Sequence, residues 1–433
     1  MALFAPIHHF FGPQADWRQW CRAAGMLLAV HRYKRGESVA VLEREMTEAF
    51  GAPARLFCTG TDALVAVLHA VGLKPCDEVI VPGYTCFSPG GAVSAVGATP
   101  VYVDVSPDTL DLTVASVKAA MTPRTRAIIA QHTLGIPAPM EALREICDRE
   151  GIVLVEDCAH MIPDSIGPRK MGNHGHATIF SFGRYKAISG MAGGAAVCND
   201  PALDKRVSEL QRNAPSISRS VIARLLLYPL VFPLLRPLIG IGVGTLLLWL
   251  CKEWNILLKG STPDELRWQV GPTAYRIPNA CAFLALQQWR RLSAFNAHRR
   301  ALTRFYLAAA REHGWFFPSA ITEDLPLQKF PIFLRGAERI RLALKRKNIH
   351  LYDGCWSRAA LTDAGVVVNE YLHPDMWKTA PGRQALMLPI HPTMSLRQAR
   401  RLVWEIARCA SQTRPDDAVY RAPVYPRVNA YGV

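Results

Sequence analysis

The sequence is short of acid. Asp and Glu number 35 against 50 Lys and Arg, which leaves a formal charge of +15 over 433 residues. Such an excess could serve nucleic acid, an anionic membrane or anionic small substrates. What else is missing speaks against nucleic acid: there is no zinc-type cysteine pairing, no RNA-binding signature and no long basic run. The 11 cysteines nowhere form a C-x-x-C pair. Cys58, Cys86, Cys147, Cys158 and Cys198 lie in or beside apolar runs. That is the pattern of buried, reduced thiols in a cytosolic protein. Residues 1–11 lack a basic n-region and a long apolar core, so no signal peptide is expected there. No internal repeat is visible. The chain is too long for one small core, and two lobes are expected.

What is present is an alternation of short apolar runs and helical patterns. Residues 1–35 read as an arm, with Trp17, Trp20 and Leu27-Leu28 as anchors. Ser38 is the expected N-cap of a helix reaching residue 50, with Val39, Val41, Leu42 and Met46 on its apolar face. Strands are expected at 56–58, 79–82, 101–104, 127–129, 153–155, 177–182 and 195–198, with helices between most of them. Strands alternating with helices predict a largely parallel sheet covered on both faces. In such sheets ligands sit beyond the carboxyl ends of the strands. Gly60-Thr61, Tyr84, His132, Asp157 and Lys186 all fall at those ends.

Each of these positions has a chemistry and a plainer alternative. Gly60 and Thr61 open a helix whose free amides and dipole favour an anion, though an ordinary capped helix would look the same. Asp157 could stay ionised beside a pyridinium nitrogen, or simply cap a helix. His160 could touch a cofactor ring or its phenolic oxygen, or serve structure. Lys186 ends the stretch Phe-Ser-Phe-Gly-Arg-Tyr-Lys (180–186), ahead of Gly193-Gly194. A lysine at a strand end is held by the sheet yet open to a cofactor, and its free amine attacks an aldehyde carbon. We read Lys186 as the lysine that holds pyridoxal 5′-phosphate (PLP) as a Schiff base; the plainer alternative is a solvated turn lysine.

The combination resembles the DegT/StrS family of PLP-dependent nucleotide-sugar aminotransferases. It is carried, in order, by Thr-Gly-Thr-Asp-Ala-Leu (59–64), Val-Pro-Gly-Tyr-Thr-Cys (81–86), Gly-Ala-Thr-Pro-Val-Tyr-Val-Asp (97–104), Glu-Asp-Cys-Ala-His (156–160), 180–186, Ala-Tyr-Arg-Ile (274–277) and Leu-Pro-Ile-His-Pro (388–392). The resemblance implies an α/β protein of fold type I: a large domain with a mainly parallel sheet covered by helices, plus a smaller C-terminal α+β domain. It implies a homodimer that moves an amino group from an amino acid, typically glutamate, to a keto sugar. By resemblance, Lys186 is the Schiff-base lysine and general acid/base, Asp157 pairs with the pyridine nitrogen, and His160 lies beside the cofactor oxygen. Gly60, Thr61 and Ser181 would bind the phosphate. No metal is implied. Two positions depart from the pattern. Cys86 stands where many members stack an aromatic ring on the cofactor, with Tyr84 and Phe87 as substitutes. Ala274 stands where many have an Asn that reaches the partner's phosphate. Competing readings are another PLP reaction on the same scaffold, or a non-catalytic relative that binds PLP or a sugar and regulates a partner.

One stretch is foreign to that pattern. Residues 221–251 are almost wholly apolar, with Arg224 and Arg236 inside, Arg219 and Lys252 at the edges, and Pro229, Pro233 and Pro237 four apart. The prolines are expected to break a continuous helix. A full double crossing of a bilayer needs more residues than these. A single crossing would part the two halves of one fold. Two readings stay open: an interfacial hairpin on an anionic membrane, or an apolar lid buried against the partner subunit. The expected organisation is an arm (1–35), a large PLP-binding domain (36–215), an apolar insertion (216–262), a linking helix with the small domain (263–411) and a loose tail (412–433). The linking helix is expected over 280–312. The expected place is the cytoplasm, with the inner face of the cell membrane as an alternative.

Overall fold

The computed structural model describes residues 6–8, 16–163, 171–258, 270–334, 336–351 and 385–411. Its strands are β1 (Ile7–His8), β2 (Ala54–Phe57), β3 (Glu78–Pro82), β4 (Thr99–Val103), β5 (Thr125–Gln131), β6 (Val153–Asp157), β7 (Ala177–Ser181), β8 (Gly194–Cys198), β9 (Lys329–Phe333), β10 (Ile349–His350) and β11 (Ala385–Pro389). The α-helices are α1 (Trp17–Leu28), α2 (Ser38–Phe50), α3 (Gly60–Val71), α4 (Phe87–Ala95), α5 (Val114–Ala120), α6 (Met140–Glu150), α7 (Pro201–Asn213), α8 (Arg219–Leu235), α9 (Val243–Glu253), α10 (Asn279–Trp289), α11 (Leu292–Glu312), α12 (Ala337–Lys345) and α13 (Leu396–Ser411).

Seven strands form one sheet in the order β2-β8-β7-β6-β5-β3-β4. All run parallel except β8, which is antiparallel to both its neighbours. The strands are continuous apolar runs because both faces are covered. Ile80, Ile128 and Leu154 pack on one side with Leu112, Leu143 and Cys147. Val79, Val81, Ile129 and Val155 pack on the other with Leu64 and Leu68 of α3. In the C-terminal part β9 and β11 pair antiparallel, and β1 pairs in parallel with β10. Ser395 caps the start of α13, its hydroxyl accepting from the Gln398 backbone amide at 3.2 Å.

Several expectations need correction. The helix expected over 280–312 is two helices that break at Arg290-Arg291. No Gly or Pro marks the break. Ion pairs reach away from it in two directions, Arg290 to Glu45 and Arg291 to Asp16, each at 2.6 Å. Ser38 is not the N-cap of α2: Glu37 holds that position, and the Ser38 amide donates to Asn279 Oδ1 at 3.0 Å. The arm is anchored by Gln19, Ala23 and Met26 rather than by Trp17 and Leu28, which are 62% and 86% exposed. Pro229 and Pro233 stand inside α8, and the chain leaves the α-helix only at the 3-10 turn holding Pro237. An interior proline costs about 3 kcal/mol. Ile222, Leu225, Leu226 and Phe232 are buried along α8, and their burial offsets that cost. The expected tail, 412–433, lies outside the described residues.

Candidate active site

The carboxyl ends of the parallel strands open on one edge. β2 leads through Thr59 into α3, β6 ends at Asp157, and β7 ends at Ser181, five residues before Lys186. The first contact in the site is a close one. A Cβ on Gly60 would stand 2.9 Å from Ser181 Cβ and 3.2 Å from its hydroxyl, so only glycine lets α3 begin against this serine. Thr59 caps α3 by accepting the Asp62 amide at 2.9 Å. The first-turn amides of Gly60 and Thr61 have no acceptor within the helix. The Thr61 hydroxyl donates to Ser88 at 3.1 Å. A cavity of about 710 Å³ opens here, lined by Thr59, Ser181, Arg184 and Lys186, and on its far side by Ile217, Val221, Leu225, Lys252 and Leu258. The apolar insertion is therefore a wall of the site.

Burial lowers the Lys186 pKa, against the opposing pull of Cys86 and Asp157, and so favours the free amine. Burial raises Asp157, although its Oδ1 accepts the Ala159 amide at 2.8 Å and the Lys186 charge works the other way. Asp157 and Lys186 thus lie within each other's field. His160 is buried and held well below its usual range, first by burial and then by Lys186 and Lys329. Its Nδ1 accepts the Leu134 amide at 3.2 Å, which places the proton of the neutral ring on Nε2. Tyr84 is fully buried within the core, while Cys86 is partly buried at the start of α4. His132 does not face the cavity. It is buried against Glu156 at 2.8 Å, and its Nδ1 accepts the Ala138 amide.

Glu156 also takes the amides of Gly172, His174 and Gly175 and the Thr178 hydroxyl. Burial works against its charge, but the His132 contact and these amides hold it down at about 2. His132, Glu156 and Cys158 offer ligand atoms within 4.8 Å of one another. With five hydrogen bonds already on the carboxylate, this cluster serves the loop from residue 171 to 175 rather than a metal.

The sequence pattern missed the residues that hold the Lys186 turn. Its carbonyls are taken in succession: Tyr185 by Gln328 at 2.7 Å, Ala187 by the buried Arg299, and Ser189 by Gln19 at 3.2 Å. The Ser189 amide donates to Gln288 at 2.7 Å. These partners are 99 to 170 positions away in sequence and carry no periodic signal. Arg184 was missed as well. Its guanidinium lies 4.4 Å from the Tyr228 ring of α8 and donates to Leu258 O at 3.3 Å.

A hydroxyl and first-turn amides beside a lysine, with a buried carboxylate and a neutral histidine close by, fit the phosphate, aldehyde and pyridine nitrogen of PLP. The architecture is that of the fold-type-I, PLP-dependent aminotransferases. Residues 21–220 match the model of the DegT/DnrJ/EryC1/StrS aminotransferase family. Among solved structures it is similar to an aminotransferase from Psychrobacter cryohalolentis (20% identity, TM-score 0.72, covering 92% of this chain and 98% of that one). It is similar to DesV of S. venezuelae, solved with a ketimine intermediate (27%, TM-score 0.67, 92% and 95%). It also resembles NtdA of Bacillus subtilis, solved with bound cofactor PMP (21%, TM-score 0.70, 92% and 83%).

Proposed function

We infer that the protein is a PLP-dependent sugar aminotransferase. It takes the amino group of an amino acid, with glutamate as the expected donor, and delivers it to a keto sugar that is nucleotide-linked or lipid-linked. The setting would be cell-surface glycan or secondary-metabolite synthesis, and the working form a homodimer. The observation that carries this reading is Lys186 in one cavity with Ser181, within the field of Asp157, at the carboxyl edge of the sheet.

When bound, PLP supplies an electron sink for the carbon that loses its proton. Lys186 would hold the cofactor and then, freed as an amine of lowered pKa, carry that proton between donor and acceptor atoms. Asp157 would hold the pyridine nitrogen's proton, the nitrogen's charge in turn keeping the buried carboxylate ionised. His160 would donate from Nε2 to the phenolic oxygen. Ser181 and the first-turn amides of Gly60 and Thr61 would take the phosphate. Tyr84 and Cys86 stay as candidate neighbours of the cofactor ring. The test is spectroscopic. Protein reconstituted with PLP should absorb in the visible and bleach with excess glutamate; a colourless reconstituted protein overturns the reading.

In the same reading the outer face of the insertion rests on an anionic bilayer, which places the enzyme at the inner face of the cell membrane. Support comes from the span Arg219–Ile241, with mean hydropathy 1.6, and from large apolar side chains left in water around it. Leu234 is 75% exposed, Ile241 67%, Trp249 55% and Trp254 70%. Patches of this kind mark protein or membrane contacts, and the chain's charge of +15 favours an anionic surface.

A further inference from the structure

A groove of about 610 Å³ lies apart from the Lys186 cavity, where the insertion meets the C-terminal part of the chain. The insertion contributes Ile239, Leu246 and Trp249 to it, and the segment from the end of α12 to β10 contributes Lys345, Arg346 and His350. The insertion's turn rests directly on that segment: a Cβ on Gly240 would stand 2.8 Å from Asn348 Nδ2. His350 Nε2 meets Asn348 Oδ1 at 3.1 Å. The two contributions differ in kind. Leu246 and Trp249 are 54% and 55% exposed, so the insertion offers apolar surface to water here. Lys345 and Arg346 are exposed, and neither has an ion pair among the described residues. The cations beside them do: Arg341 pairs with Glu338, and Lys347 with Glu405. No Asp or Glu stands among the described residues that line the groove. The C-terminus of α12 attracts a cation, but it does not call for an exposed apolar surface from another element beside it.

We propose that this groove is a headgroup site for one anionic phospholipid, with Lys345 and Arg346 on its phosphate and Leu246 and Trp249 against its chains. The proposal rests on the bilayer reading and adds to it a lipid class and a place. The occupant must be anionic at one end and apolar at the other, because the groove is cationic at one end and apolar at the other. The guanidinium offers a phosphate its fork of donors, and the ammonium a point charge. A zwitterionic headgroup would bring a cation of its own to these two, so a net negative one is favoured. Tryptophan suits the boundary between headgroups and chains, where its ring is half in an apolar medium. Basic pockets between apolar elements are a recurrent way of holding anionic headgroups. α13 is tied to the same segment, Arg401 donating to the Lys347 carbonyl at 3.2 Å. It too carries exposed cations, Arg397 and Arg400, with Trp404 one turn on and 58% exposed.

The test uses full-length protein and dihexanoyl phosphatidylglycerol, kept too dilute to form micelles, with binding read by calorimetry. One lipid should bind per chain, more tightly than dihexanoyl phosphatidylcholine and far more tightly than glycerol phosphate. Lys345→Ala combined with Arg346→Ala should weaken binding at least ~10-fold. Lys345→Arg combined with Arg346→Lys should keep most of it. Lys74→Ala combined with Lys118→Ala removes the same charge from the large domain and should leave binding near wild type. Equal losses in the two alanine pairs would reduce the groove to general attraction and overturn the site. Glycerol phosphate binding as tightly as the lipid would overturn it too, as a site for soluble phosphate. So would a change of oligomeric state in the Lys345→Ala, Arg346→Ala protein, which would make this surface a subunit contact. Flotation on phosphatidylglycerol liposomes separates the proposal from the reading beneath it. Wild type that does not float refutes the bilayer reading, whereas wild type and the Lys345→Ala, Arg346→Ala protein floating alike refute the headgroup site alone.

Discussion

Lys186 stands in the turn five residues beyond the end of β7, outside the hydrophobic core. Lys186→Ala should therefore leave the fold and melting temperature near wild type while abolishing transfer and the borohydride-reducible adduct. An adduct that persists in the variant would place the cofactor on another lysine. Asp157→Asn should keep the visible absorbance and slow amino transfer by at least ~10²-fold, or about 2.7 kcal/mol of barrier, because the ring nitrogen loses its ionic partner. A rate within a few-fold of wild type would remove Asp157 from that role. Gln328→Leu is a different kind of change. It strips the Tyr185 carbonyl of its donor inside the protein, a loss of about 1–3 kcal/mol. It should lower the denaturant midpoint and the turnover number together, with little change in donor KM. Asp157 was legible in the sequence because it closes an apolar run at a strand end, and Lys186 because it stands in the turn after such a run. Gln328, Arg299, Gln288 and Gln19 were not, since a side chain reaching a backbone group more than 90 residues away leaves no local mark.

The strands and most helices of the large sheet were legible for a similar reason: period and breaker residues report on local burial. The insertion shows where that logic stops. Pro229 and Pro233 signalled a broken helix, yet α8 runs through both, because its buried face packs against the protein. The break at Arg290-Arg291 gave no signal, since ion pairs to Glu45 and Asp16 on other elements hold the turn. The insertion also sets a pH limit. Arg236, in the turn between α8 and α9, faces His8 of β1 and His391. Burial and then Arg236, with smaller contributions from Arg299 and His298, push His391 down to about 4. Burial, His391, Arg236 and His350 hold His8 well below its usual range. Both rings are neutral in the fold and must charge on unfolding. Their stabilisation is present above the ordinary value of 6.5 and is lost as pH falls from there towards about 4. The loss is at most about 1.4 kcal/mol per pH unit for each ring. Melting temperatures across that window should fall in wild type and fall less in His391→Gln. Equal slopes would show that the histidines do not carry the acid sensitivity.

At the scale of the molecule, the insertion has two faces with different consequences. Its inner face lines the cavity and holds Arg184, while its outer face leaves Trp249, Trp254 and Ile241 in water. A variant that carries Trp249→Glu and Ile241→Glu changes only the outer face. It should keep PLP binding and the oligomeric state yet no longer float with anionic liposomes, and flotation of the wild type should weaken in salt. Wild-type protein that never floats, or a variant that falls to monomer, would refute the bilayer and favour burial between two subunits. A last feature concerns order in time. β1 is made some 340 residues before its partner β10, at Ile349–His350. The β1–β10 pair cannot form on a nascent chain until β10 has left the ribosome, whereas β2 to β8 can already be assembled. β1 must therefore wait for its partner while the large sheet is made, and the pairing of these two short strands follows the assembly of that sheet.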